Sequence, residues 1–167
     1  QTVFTTLIFL PNLNNIVKTR KIKLHLFRSL LLFCATISMF SGFKYLTLVS
    51  TITIFQIGPL VIVVFSVIFL KETVGYRRWI SVIVGFSGAL LILKPGTDMF
   101  SVFGFFPILA AIFYAGYAVS TRRLGTEEDP QTNFFYTSLV GTLISTIILI
   151  PFFEPIAIKD LFLFSIL

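Results

Sequence analysis

Between Tyr45 and Leu70 the chain runs for 26 residues without a charged side chain. A bilayer core of about 30 Å is crossed by roughly 20 apolar residues in a helix, so this stretch can span a membrane and is too apolar for a water-facing surface. Two further charge-free runs are of the same kind, the 23 residues from Met99 to Thr121 and the 24 from Pro130 to Phe153. Two shorter runs, Ser29 to Phe43 and Trp79 to Leu93, have 15 residues each and reach only about 22 Å at about 1.5 Å per residue. They span if their flanks help. Arg28 and Lys44 can snorkel to head groups at the ends of the first, and Arg78 and Lys94 at the ends of the second, where Trp79 is a suitable interfacial aromatic. Apolar residues up to Leu10 and from Leu161 onward make partial spans. The expectation is an all-α polytopic membrane bundle with five complete spans and two partial ones. The two-residue alternation of a membrane β-barrel is missing from these runs.

Composition points the same way. Charged residues make up 12% of the chain, against about 25% in soluble domains, and mean hydropathy is +0.98. A soluble enzyme, a disordered chain and a nucleic-acid binder are excluded, the last despite a net charge of +6. The single cysteine, Cys34, and the single histidine, His25, leave no disulfide framework and no Cys or His metal cluster. Walker A and His-Glu-x-x-His motifs are missing, and the charge-free runs hold no paired carboxylates. The chain reads as a non-enzyme with no cofactor, no metal and no nucleic-acid partner. Its partners are the lipid bilayer and a small-molecule metabolite, and a homodimer is compatible with it. It begins at Gln1 inside one apolar run and ends at Leu167 in another, which reads as the middle of a longer protein.

The basic residues give an orientation. If each span crosses once, one side holds Lys18, Arg20, Lys21, Lys23, Arg28, Lys71, Arg77, Arg78, Arg122 and Arg123, and the other holds Lys44, Lys94 and Lys159. Ten against three places the first side in the cytoplasm. The segment Thr5 to Pro11 also echoes Ser145 to Pro151, and the two end on opposite faces, as inverted repeats would. Chance similarity of two apolar segments explains the echo equally well.

An ordered set of segments resembles the EamA-type transporters of the drug/metabolite transporter superfamily. His25-Leu26-Phe27-Arg28-Ser29-Leu30 resembles the opening of that family's third helix and Phe43-Lys44-Tyr45-Leu46 its exit. Gln56-Ile57-Gly58-Pro59-Leu60 resembles the centre of the fourth. Leu70-Lys71-Glu72 is similar to the family's Leu-Gly-Glu, with Lys71 in place of Gly. Arg78-Trp79-Ile80 through Val84 to Gly88 and Leu93-Lys94-Pro95 resembles the fifth helix, Ala110 to Leu124 the sixth, and Phe135-Tyr136 to Gly141 the seventh. The resemblance implies ten helices in two inverted five-helix repeats. Residues 1–96 would hold the end of the first repeat, with part of its second helix and helices three to five. Residues 97–167 would begin the second, with helices six and seven and the start of helix eight. It also implies a multi-pass protein of the bacterial inner (plasma) membrane.

Several residues are candidates for binding substrate. Pro59 cannot donate to the carbonyl four residues back, and Gly58-Pro59 therefore predicts a break near the middle of the longest span, either a binding site or a structural kink. Gln56, one turn earlier, is polar at bilayer depth, and either touches substrate or bonds a neighbouring helix. Arg28 lies one turn inside the cytoplasmic boundary, where it either attracts anionic groups or snorkels. Tyr114, Tyr117 and Ser120 share one helix face and either line a cavity or pack in the core. Glu72 is expected to pair with Arg77 or Arg78 across a short turn. His25 reads as an interfacial imidazole and Tyr136 as an interfacial anchor.

The leading functional reading is a secondary transporter that moves a small polar metabolite by alternating access. The alternatives are the subgroup that includes S-adenosylmethionine importers, which Arg77 to Pro95 and Phe135-Tyr136 resemble, and a membrane scaffold that transports nothing. An intramembrane enzyme would need a His, Asp or Ser cluster that the sequence lacks. The charge asymmetry is directly testable. With Cys34 replaced, cysteines at Thr19, Gly75 and Thr126 should resist an impermeant thiol reagent in intact cells, and cysteines at Thr97 and Ile158 should react. Labelling at Gly75 would reverse the topology.

Overall fold

The computed structural model describes residues 19, 21–93, 102–125 and 128–149. Every described element is helical: α1 (Ile22–Tyr45), α2 (Leu48–Phe55), α3 (Gly58–Leu70), α4 (Tyr76–Leu93), a 3-10 turn (Val102–Gly104), α5 (Phe105–Gly125) and α6 (Pro130–Leu149). Three stretches, Ile22–Tyr45, Leu48–Leu70 taken across its interruption, and Val102–Gly125, are long and apolar enough to cross a membrane. The chain is thus a helical membrane bundle. α4 and α6 have 18 and 20 residues and polar starts, Arg77-Arg78 and Gln131-Thr132-Asn133, and fall outside that group. Three of the five complete spans expected from the sequence therefore meet this measure among the described residues. The partial spans at residues 1–10 and 161–167, and the first member of the echo, lie outside them.

The short run Ser29 to Phe43 does not make a short helix. α1 takes in residues on both sides and reaches 24 residues, about 36 Å at about 1.5 Å each. α1 and α5 are principal partners, α3 packs on α5, and α6 on α1. Side-chain contacts fix the directions. At one end, Tyr45 stacks on Phe103 with centroids 4.4 Å apart and lies 6.0 Å from Phe106. At the other, Arg28 reaches Thr121 at 3.2 Å and the carbonyl of Asn133, and Glu72 meets Arg122 at 2.9 Å. The starts of α1 and α6 and the ends of α3 and α5 thus share one level, the alternation on which the charge count rests.

The residues that face inward are small and polar. α1 buries His25, Arg28, Ser29, Ala35, Ser38 and Gly42, while Leu26, Phe27, Leu30, Ile37 and Phe40 are exposed. Against lipid, which is as apolar as leucine, large side chains gain little by going inside. Helices there associate through close backbone approach and shared hydrogen bonds. α5 answers with Ala110, Ala111 and Ala115, all fully buried. Gly42 is needed at the tightest point, because a Cβ there would lie 3.0 Å from Thr51 Cγ2 and 3.4 Å from Pro107 Cδ.

Local chemistry sets the helix ends. After Leu46, in extended conformation, Thr47 accepts a hydrogen bond from Ser50 N–H at 3.2 Å and caps α2. Two residues thus turn the chain back across the bundle. α3 ends at Lys71, in the left-handed region with φ 54 and its N–H bonded to the carbonyl of Ser66, a helix ending for which glycine is the favoured residue. Here the sequence departs from the family's Leu-Gly-Glu at the position where glycine would cost least. A non-glycine residue in this conformation costs about 1–2 kcal/mol, part of which glycine returns as chain entropy. Lys71→Gly should therefore raise the unfolding free energy in detergent by roughly 1 kcal/mol, read from thermal or denaturant melts. A loss of stability would show that the lysine side chain contributes something the backbone strain does not.

Candidate functional site

The long apolar run Tyr45 to Leu70 is divided in two. Gln56 and Ile57 form a turn between α2 and α3, in which Gln56 N–H donates to the carbonyls of Ile52 at 3.2 Å and Thr53 at 3.1 Å. Pro59 sits in the first turn of α3, where its missing N–H costs least. The Phe55 carbonyl, four residues before Pro59, receives no donor from it. Gly58 is buried against α5, where a Cβ would lie 3.9 Å from that of Ala111. Gln56 and Pro59 are exposed.

From the break a row of rings leads along α5. Phe55 lies 5.6 Å from Tyr114, Tyr114 lies 5.9 Å from Tyr117, and the guanidinium of Arg28 sits over the Tyr117 ring at 5.5 Å. Tyr114 is 38% exposed and Tyr117 half-buried. The structure therefore joins Arg28, Tyr117 and Tyr114 in one chain of contacts. It is Phe55, and not the neighbouring Gln56, that meets the first tyrosine.

Arg28 is 1% exposed, so it does not snorkel. Its side chain donates to Thr121 Oγ1, to the carbonyl of Asn133 and to Thr137 Oγ1. All three acceptors are neutral. Thr121 and Thr137 are themselves anchored, each donating at 2.8 Å to a backbone carbonyl one turn earlier, Tyr117 and Asn133. Nε of Arg28, Ser29 Oγ and Asn133 Oδ1 are buried with no hydrogen-bond partner among the described residues.

A second cluster lies one turn nearer the start of α1. His25 is fully buried. Its Nε2 meets a carboxylate oxygen of Glu128, whose other oxygen accepts from Thr19, and its ring stacks on Tyr136 at 4.8 Å. Burial pushes the Glu128 carboxyl up. The hydrogen bonds of Thr19 and His25 and the charges of His25 and Lys21 outweigh this and hold it below its ordinary value of 4.5. A carboxyl depressed in the folded state contributes its stability above that ordinary value and loses it as pH falls through the lower, folded one. The sequence alone marked His25 and Tyr136 only as interfacial residues. It also paired Glu72 with Arg77 or Arg78, but Glu72 pairs with Arg122 of α5. Arg77 lies over the Tyr76 ring at 6.0 Å instead.

An apolar helical bundle with polar groups and a broken span at depth is the architecture of a multi-pass membrane protein. The EamA-like transporter family matches residues 1–94, and the chain belongs to that family. A riboflavin transporter of Vibrio cholerae is 32% identical over 100 residues, 60% of this chain and 34% of the relative. An S-adenosylmethionine uptake transporter of Rickettsia bellii is 30% identical over 147 residues, 85% of this chain and 50% of the relative. A pseudopaline exporter of Pseudomonas aeruginosa is 28% identical over 107 residues, 64% of this chain and 38% of the relative. The chain thus spans half or less of the length of these relatives. No solved structure matches it significantly.

The buried arginine is testable without a substrate. A lysine keeps the charge, but its single ammonium cannot serve three acceptors in a planar fork. Arg28→Lys should lower stability in detergent by about 1–2 kcal/mol. An unchanged melting curve would show that charge alone, and not fork geometry, holds α1 to α5 and α6.

Proposed function

We propose that this chain is part of a secondary transporter that moves a small polar metabolite, chemically unchanged, across a bacterial inner membrane by alternating access. The observation that carries this reading is the interruption of the Leu48–Leu70 span at Gln56-Ile57, beside the row Phe55, Tyr114 and Tyr117. Gln56 and Ile57 keep helical dihedrals, so the interruption is a kink at Pro59 that frees a backbone carbonyl. Such carbonyls are tolerated at membrane depth where they meet protein or a water-filled cavity, and interrupted helices near the midplane are where transporters bind substrate. Gln56, Gly58, Pro59, Tyr114, Tyr117 and Arg28 are the proposed substrate-binding set. In it the tyrosines supply faces and hydroxyls, Gln56 an amide, and Arg28 fixes Tyr117 from behind and supplies positive potential.

In this reading the whole protein has ten helices in two inverted repeats, divided near residue 96, with the basic ends in the cytoplasm. Riboflavin and S-adenosylmethionine, named for two of the relatives, are both flat nitrogen heterocycles on a polar chain. A row of aromatic faces ending near an amide suits that class, and neither compound is favoured over the other.

Pro59→Ala in the full-length protein should impair uptake more than it impairs insertion or expression. Gln56→Leu, close in size but without the amide, should raise the apparent KM roughly tenfold, the value of one good hydrogen bond. Both are read as initial rates in proteoliposomes. Wild-type kinetics in both variants would make the interruption a structural kink and put the substrate site elsewhere in the bundle.

A further inference from the structure

Arg28 carries a full charge into the bundle and meets no opposite charge there. Its Nη1 donates to Thr121, and its Nη2 to the Asn133 carbonyl and Thr137 Oγ1, all of them neutral. Among the described residues no carboxylate faces it. Glu72 pairs with Arg122 and Glu128 with His25, and Asp129 is exposed. A buried charge without a counter-charge is costly, and most of all in a membrane.

The donors of the guanidinium are also unevenly used. Nε–H and Nη2 point along one edge of the plane, the edge that a carboxylate or phosphate grips with two oxygens. Nη2 is engaged, while Nε is buried with no hydrogen-bond partner among the described residues. Ser29 Oγ, on the next residue, is buried and unpartnered in the same way and can donate to an oxygen. Tyr117 lies over the face of the guanidinium, which leaves the edges to partners in its plane.

We propose that Arg28 is an oxyanion site: the transported molecule carries a carboxylate or phosphate that takes the Nε–Nη2 edge, with its flat ring along Tyr117, Tyr114 and Phe55. What the anion belongs to rests on the transporter reading; the anion itself rests on the guanidinium. Asn133 and Thr137 both belong to α6, and the guanidinium is 1% exposed, so an anion enters as α6 moves off the edge. Thr137 keeps a partner in that event, since its hydroxyl already donates to the Asn133 carbonyl at 2.8 Å. The arginine exchanges neutral acceptors for a charged one, the stronger kind. A bound anion therefore favours the shift of α6, and a neutral molecule does not.

Two pairs of compounds differ by the anionic group alone: S-adenosylmethionine and its decarboxylated form, and the phosphate ester of riboflavin and riboflavin. Calorimetry on the full-length protein, in nanodiscs of zwitterionic lipid so that no anionic head group competes, gives the dissociation constants. The anionic member of at least one pair should bind roughly ten- to a hundredfold more tightly, the range of one hydrogen bond to a charged group. Arg28→Gln should bring that ratio close to one. No preference in either pair, or a preference that survives Arg28→Gln, would overturn the site. Thr137→Asp keeps the arginine and sets a fixed carboxylate beside Nη2. Against Thr137→Asn, its neutral match in size, it should melt at higher temperature and lose the preference. A lower melting temperature or an unchanged ratio would mean that the charge is already balanced, and the site falls. Acetate and inorganic phosphate, compared with chloride at equal ionic strength, test the guanidinium without any transported compound. They should raise the melting temperature of the wild type and not that of Thr137→Asp. If none of the four compounds binds, this shift keeps the anion site and counts against the aromatic row, and its absence overturns both. Arg28-dependent binding without uptake in proteoliposomes removes the transporter reading and leaves the anion site standing.

Discussion

A guanidinium enclosed at depth among neutral oxygens organises this bundle. Removing a charge from water is costly unless its hydrogen bonds are replaced, and Arg28 finds replacements only where α1, α5 and α6 meet. Thr121 comes from α5, and Thr137 and the Asn133 carbonyl from α6. The Tyr117 ring, also from α5, closes a face of the fork. Shifting any of the three helices along its axis would strip an acceptor from the arginine, so the residue sets their relative heights. His25 and Glu128 repeat the device a turn nearer the helix start, and Glu72 with Arg122 extends it to the end of α3.

Away from that level the packing is of another kind. Ala110, Ala111 and Ala115 of α5, with Gly42 on α1, allow backbones to approach closely, while bulky residues such as Phe40, Phe69 and Leu91 are exposed. Specific polar pinning at the ends and small-residue contact between them are what remains to hold helices together when the surroundings are hydrocarbon.

Much of this was legible in the sequence. Charge-free runs located the helices, because a charge inside lipid is penalised whatever the fold. Gly58-Pro59 announced the interruption, because proline lacks its donor in any context. The spacing of Tyr114 and Tyr117 put both on one face of α5, and their rings do adjoin. The substitution of Lys71 for a glycine was visible as an anomaly, and the left-handed backbone explains why glycine belongs there. What the sequence hid are the partners. His25 and Glu128 are 103 residues apart and Arg28 and Thr137 are 109, so no local pattern joins them. The sequence left Arg28 open between attracting anionic groups and snorkelling to head groups, because charge counts do not see the threonines and carbonyl that receive this one. The pairing of Glu72 failed likewise, since nearness in sequence favoured Arg77 and Arg78 over a residue of another helix.

The antiparallel pair α1 and α5 is fastened at both extremities, by Tyr45 on Phe103 and Phe106 at one and by Arg28 on Thr121 at the other, with alanines sealed between. Two rods clamped at both ends behave as one strut. Separating α1 from α5 therefore means giving up a ring stack at one extremity and a guanidinium hydrogen bond at the other, both at once.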